Sequence, residues 1–319
     1  MSSPDEQEPL MKVGIIGLGN MGEQIAAAVL RAGIETRVYD VRPEAVAKLV
    51  DQGATGAASV RELAEAVDAV GVVVLNEQQV GEVAEEVAAA ERRPGTLVVH
   101  STVTPFYVKG LQNRLAEAGV DVVDAPVAGG VARARTGDLT VMVGGDDAVV
   151  AGLSPVFQAI GRDIFHVGPA GAGTAVKLAV NFMTIAGYAL EIEAMEMVRA
   201  YGLTEDALST VLTTSSADSR AVRRWGFHDR LRRQAPPGTE PAHLVMRKDV
   251  TSFAAAGGQA GLVLPLAAVT ARTLLDTIGR RDRYLDDLGD VPPVPRCAAC
   301  TQELIPPFRE AGVHPECAA

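Results

Sequence analysis

Cysteine is missing from the main body of this 319-residue chain: Cys297, Cys300 and Cys317 all lie near its C-terminal end. That excludes a disulfide framework for the body, as suits a reducing compartment. Aromatic residues make up only 4% of the chain, so Ala, Val, Leu and Ile must fill the core. No uninterrupted apolar run reaches the roughly 18 residues of a transmembrane helix. The stretch Met1–Pro9 is polar and acidic, without the basic start and apolar centre of a signal peptide. It reads as a disordered tail over residues 1–10 of a cytoplasmic protein. Acidic residues outnumber basic ones 40 to 29, for a formal net charge of −11. Nucleic acid and membrane are therefore not expected partners, since the former needs a basic footprint. Lysine is scarce as well. There are five (Lys12, Lys48, Lys109, Lys177, Lys248), so arginine is the default cation. Of the two, only lysine can lose its proton at accessible pH, which makes a lysine in a chemical context informative.

What is present is a long alternation. Short β-branched runs at 12–17, 36–40, 69–75, 96–100, 120–124, 140–143 and 164–167 read as strands. Ala-rich amphipathic stretches, such as 20–31 and 43–50, separate the earlier ones. This pattern predicts a parallel sheet covered by helices on both faces. The pattern changes near Gly171. One long helix is expected from there to about Tyr201, with further helices over 204–213, 243–256 and 264–278 and no strand after Val167. A Pro/Gly-rich loop fills 234–241, and the prolines within 290–295 end the helical region. The expected class is α/β: a doubly wound parallel sheet over 11–170, an all-α domain over 171–290 and a short Cys/His tail over 291–319.

The first strand runs into Gly17-Leu18-Gly19-Asn20-Met21-Gly22, a G-x-G-x-x-G between strand and helix. Gly17 permits the tight turn, Gly19 lets backbone approach a pyrophosphate, and Gly22 allows close helix–strand packing. A pyrophosphate would then lie on the helix N-terminus, where unpaired N–H groups and the helix dipole favour negative charge. Asp40 ends the second strand eighteen residues after Gly22. A carboxylate there accepts from ribose hydroxyls and repels a 2′-phosphate, which favours NAD over NADP; Arg42 nearby leaves NADP open.

Further along, Asp124-Ala125-Pro126-Val127-Ala128-Gly129-Gly130 is followed by Gly171-Ala172-Gly173-Thr174-Ala175-Val176-Lys177 and then Asn181. Ser101-Thr102-Val103-Thr104-Pro105 and Lys248-Asp249 complete the set. Lys177 and Asn181 are four apart on a helix and share one face, with Gly173 one turn earlier expected to leave open space. A lysine with a burial-lowered pKa could take a hydroxyl proton in oxidation and return it in reduction.

In their order along residues 11–285, these motifs resemble the 3-hydroxyisobutyrate (β-hydroxyacid) dehydrogenase family. The resemblance implies a small hydroxy-acid substrate, Lys177 as general acid/base and Asn181 as the residue orienting the substrate. It implies further that Gly129, Gly130 and Ser101 bind the substrate carboxylate and that Leu75, Asn76 and Thr102 touch the cofactor. Lys248 would reach over nicotinamide and substrate, in a cleft at the carboxyl edge of the sheet. A homodimer or higher oligomer, built largely by the helical domain, is also implied. The chain departs from the family at Ala128, where Ser is usual, and in the basic pair Arg133 and Arg135, which suit a more negatively charged acid. Imine reductases look similar overall but usually place an acid where this chain has Lys177. A non-catalytic cofactor-binding scaffold is the remaining alternative.

In the tail, Cys297 and Cys300 precede His314 and Cys317, two close ligand pairs with the chemistry of a closed structural zinc site. A metal would staple a segment too short to fold alone. The tail is an addition to the family pattern.

Overall fold

A computed structural model describes residues 11–219, 221–226, 229 and 241–288. The expected tail over 1–10, the break at 290–295 and the four Cys/His positions lie outside the described residues. Contacts divide the chain into two compact units, Met1–Ala179 and Val180–Ala319, with the boundary inside one helix.

The first unit is built on nine strands among the described residues: β1 Lys12–Ile16, β2 Glu35–Tyr39, β3 Thr55–Gly56, β4 Ala69–Val72, β5 Thr96–Val99, β6 Asp121–Asp124, β7 Val127–Ala128, β8 Leu139–Gly144 and β9 Gly161–Gly168. Their order is β3-β2-β1-β4-β5-β6-β8-β7, with β9 beside β8. The six strands from β3 to β6 pair in parallel. β8 runs antiparallel to β6 and β7, and β9 returns parallel to β8. All four residues of β4 and of β5 are buried. Such strands show a continuous apolar run rather than alternation, because helices cover both sheet faces.

The helices of this unit are α1 Gly22–Arg31, α2 Pro43–Val50, α3 Val60–Glu65, α4 Glu77–Ala88, α5 Pro105–Ala116, α6 Gly130–Arg135, α7 Asp147–Gly152 and α8 Ser154–Ile160. Their starts are set locally. Ser59, Asn76, Thr104 and Asp146 each accept a backbone N–H of the first turn, and Pro stands at the start of α2 and α5. The core is aliphatic, as the scarcity of aromatics requires: Phe157 is the one aromatic among its largest fully buried side chains. The two-residue strands β3 and β7 and the short helices α6 to α8 carry too little periodicity to stand out in sequence.

The second unit begins within α9 Ala172–Ala200, a 29-residue helix, and continues with α10 Glu205–Leu212, α11 Ala242–Gln259 and α12 Pro265–Leu288. Ile185, Tyr188 and Ile192 of α9 pack with Val250, Leu274 and Ile278, and the Phe182 and Phe253 rings stack at 4.6 Å. Beside this core, buried Arg281 donates to Glu205 and, at 2.9 Å, to Asp229. Trp225 donates its indole N–H to Glu205 at 3.1 Å, and Tyr188 its hydroxyl to Asp229 at 3.1 Å. The arginine's charge is thus met by two carboxylates, which a buried ion needs.

Glu191 of α9 is buried without such help, and burial alone pushes its carboxyl up to about 7. A folded pKa above the ordinary 4.5 disfavours the charged form in the folded state. The penalty is absent below that ordinary value, grows as pH rises and is complete above the folded value. Glu191→Gln is therefore expected to stabilise the helical unit at pH 8 by up to about 3 kcal/mol, with the gain vanishing near pH 4.5. Denaturant unfolding at both pH values checks this; equal stability at pH 8 would show a solvated carboxylate.

Candidate active site

Parallel pairing brings the loops after β1, β2, β4, β5 and β6 to one sheet edge. The strand order reverses direction of growth at β1 and β4, and there the glycine-rich loop sits beside Val73 and Val74. Gly17 has φ +88°, and a Cβ on it would stand 2.4 Å from the Val73 carbonyl oxygen. A Cβ on Gly22 would stand 1.8 Å from the Gly17 oxygen, whereas one on Gly19 meets nothing within 4 Å. The loop is thus sealed against the protein by Gly17 and Gly22 and open outward at Gly19. No side chain caps α1, whose N-cap is Met21; the Glu23 N–H of its first turn is given to the Gly19 carbonyl at 3.0 Å. Asn20 and Met21 complete this turn. These features fit a dinucleotide pyrophosphate.

Asp40 closes the loop from the β2 side. It accepts the Leu18 N–H at 2.6 Å and both the backbone and Nε of Arg42, at 2.9 and 3.0 Å. Arg42 also donates to the Leu18 carbonyl at 3.1 Å. Burial works to raise the Asp40 pKa, but the Arg42 guanidinium and the two backbone N–H groups outweigh it and hold the carboxylate below its usual range. After β4, Leu75 is exposed, and Asn76 spends its side-chain oxygen on the Gln79 N–H at 2.9 Å, capping α4. After β5, Ser101 is buried; its hydroxyl accepts the Val74 N–H at 2.8 Å. Thr102 follows it and is engaged in a polar contact of its own.

His100 is fully buried, and desolvation brings it down to about 4, so it is neutral at physiological pH. Its Nδ1 lies 2.7 Å from the Ala125 carbonyl, which only accepts, so Nδ1 carries the hydrogen. This ties the end of β5 to the turn leading toward Gly129 and Gly130. Both glycines have positive φ, +137° and +71°, and Gly130 faces open space. Arg133, one turn on, is paired with Asp163 at 3.4 Å and Asp138 at 3.9 Å. Arg162 shares both carboxylates, at 3.6 Å from each.

The carboxylate of Asp124, at the end of β6, is wholly buried. It accepts the Gly171 N–H and the Thr174 N–H, both at 2.6 Å. Burial raises its pKa, and the backbone bonds oppose that rise. A Cβ on Gly173 would stand 2.3 Å from the Met142 oxygen and 3.0 Å from Asp124 Oδ2. The expected open space at Gly173 is therefore absent; this glycine lets α9 start against β6 and β8. Lys177 follows within a turn of that anchor, half-buried and in polar contact.

In the second unit, Asn181 Nδ2 donates to Asp249 Oδ2 at 2.7 Å. The Lys248 ammonium lies 3.1 Å from the other oxygen, Oδ1, which has ion-pair distance but no aligned hydrogen bond. Asp249 is buried. The sequence held a signal for this: Met246, Val250, Phe253 and Gly257 form the inward stripe of α11, and position 249 borders it. Asp124 was legible in the same way, as an acid closing an apolar run. Among the described residues, no group of three or more His, Cys, Asp or Glu could hold a metal.

Comparison with known proteins agrees with this architecture. Residues 12–168 match the family of the NAD binding domain of 6-phosphogluconate dehydrogenase, and residues 171–288 that of the NAD-binding region of NADP-dependent 3-hydroxyisobutyrate dehydrogenase. An L-threonate dehydrogenase of Cupriavidus necator is 38% identical over 223 residues, 69% of this chain and 73% of the relative. An NAD-dependent L-serine dehydrogenase of Pseudomonas aeruginosa is 36% identical over 67% of this chain and 72% of its own. The solved 3-hydroxyisobutyrate dehydrogenase of Mycobacterium tuberculosis with L-serine superposes with a TM-score of 0.75 at 24% identity, over 95% of this chain and 98% of that one, a likeness of fold. The chain belongs to the 3-hydroxyisobutyrate (β-hydroxyacid) dehydrogenase family, nicotinamide-dependent oxidoreductases that act on alcohol groups.

Proposed function

We propose that this enzyme oxidises the hydroxyl of a small β-hydroxy acid reversibly, with Lys177 as the general acid/base. The observation that carries the reading is the placement of Lys177 directly after the Asp124-anchored start of α9. The nicotinamide, when bound, supplies the hydride acceptor or donor. Lys177 takes the hydroxyl proton during oxidation and returns it during reduction. Asn181, four residues on, orients that hydroxyl, and Lys248 provides a second cation on the substrate side. The backbone N–H groups of Gly129 and Gly130 receive the carboxylate, supported by the open space at Gly130. Ser101 holds the end of β4 by accepting the Val74 N–H, and its own O–H is the donor assigned to the substrate carboxylate.

The preferred cofactor is NAD, because Asp40 faces the loop with Arg42 drawn onto it rather than outward. L-Serine, L-threonate and 3-hydroxyisobutyrate are the acids to screen, with NAD⁺ and NADP⁺ in parallel, by absorbance of the reduced cofactor. Lys177→Ala is expected to lower turnover at least about a hundredfold while leaving cofactor affinity within about twofold. Lys177→Arg should not restore it, since guanidinium does not release a proton. Wild-type rates in Lys177→Ala would remove the assignment.

We infer a second copy of this chain as the partner of α9. Val176, Met183, Leu190 and Met197 are exposed and recur every seven residues along one face of that helix. The helix has the length and hydropathy of a membrane span, but Glu193, Glu196 and Arg199 on it favour a protein partner. Leu190→Glu with Met183→Glu is expected to convert a dimer or larger species to monomer in sedimentation. A wild-type protein that is already monomeric would overturn this.

Cys297, Cys300, His314 and Cys317 are inferred to hold one structural zinc, on the strength of their spacing. Metal analysis should return about one zinc per chain, lost on truncation at residue 296; metal-free intact protein would refute the site.

A further inference from the structure

We propose that Asp249 is a positioning residue which forces the amide of Asn181 to present its oxygen, Oδ1, to the reacting hydroxyl. This rests on the reading that Asn181 borders that hydroxyl. A carboxylate only accepts hydrogen bonds, so the amide must turn its NH₂ end toward Asp249. The 2.7 Å contact is charge-assisted and part-buried, with the Asp249 side buried. Turning the amide over would set two acceptor oxygens against each other and leave the buried carboxylate without its donor. The Asp249 carboxylate also meets the Lys248 ammonium at 3.1 Å. One buried side chain therefore organises two groups that lie far apart in sequence.

The consequence is a fixed polarity. Asn181 offers an acceptor, with one N–H remaining. Before the reaction the substrate hydroxyl can donate to that oxygen; to react it turns its one proton to the Lys177 amine. Once Lys177 holds the proton, its ammonium can donate instead. An acceptor suits both ends of the transfer, whereas an amide presenting NH₂ would compete with the ammonium for the same lone pairs.

The chain has four asparagines (Asn20, Asn76, Asn113, Asn181), so selective ¹⁵N-asparagine labelling yields a readable set of side-chain amides. In cofactor-free protein, the Asn181 NH₂ protons are expected to exchange with water more slowly than those of the exposed Asn113. Asp249→Asn, which matches the shape but can face either way, should abolish that protection. With L-serine and NAD⁺, the same variant should lose about tenfold or more in kcat while KM changes less than about threefold. Unprotected Asn181 protons in the wild type, or protection unchanged in Asp249→Asn, would overturn the proposal. The exchange measurement needs no turnover. If the wild type oxidises no acid, the functional reading fails while the orientation of Asn181 is still decided.

Discussion

A single buried carboxylate, that of Asp124, determines where the long helix of this protein begins. It is the last residue of a parallel strand, and it takes the backbone N–H of Gly171, just before α9, and of Thr174 in the first turn, at 2.6 Å each. The bonds do three things together. They satisfy donors that every helix N-terminus leaves unpaired, place negative charge where the helix dipole favours it, and compensate an anion that burial destabilises. Gly144 and Gly173 are the steric condition for this arrangement, since a Cβ on either would strike Asp124 or adjacent backbone within 3.0 Å. Lys177 inherits its place from that junction.

The same economy holds at the cofactor end. Asp40 does not simply await a ribose; it already holds the Leu18 N–H and draws in Arg42. The glycine loop is thereby held in shape before any dinucleotide arrives, so less ordering remains to be done on binding. At the end of β5, neutral His100 has the corresponding role and fastens the turn that leads to Gly129 and Gly130.

Much of this was legible in the sequence because it is periodic or stereochemically demanding. β-Branched runs separated by amphipathic stretches gave the parallel sheet, and Gly17 and Gly22 marked the loop by a requirement that no other residue meets. Long helices such as α9 and α12 declared themselves through apolar spacing, although α12 extends ten residues beyond the expected Ile278. What stayed hidden is what depends on distant partners. Gly173 looked like an opening because helical geometry says nothing of the Met142 carbonyl that fills the space. Arg133 looked like a free cation until Asp138 and Asp163 came beside it in the fold. Asp249 gave no sign of its partner Asn181, which lies on another helix.

The chain's sole tryptophan belongs to the Arg281–Glu205 cluster of the helical unit, with the guanidinium 4.7 Å from its ring centroid. Indole emission is therefore a local reporter. It registers loosening of that charged cluster and is silent about melting of the sheet, so a fluorescence transition and a circular dichroism transition need not coincide in this protein.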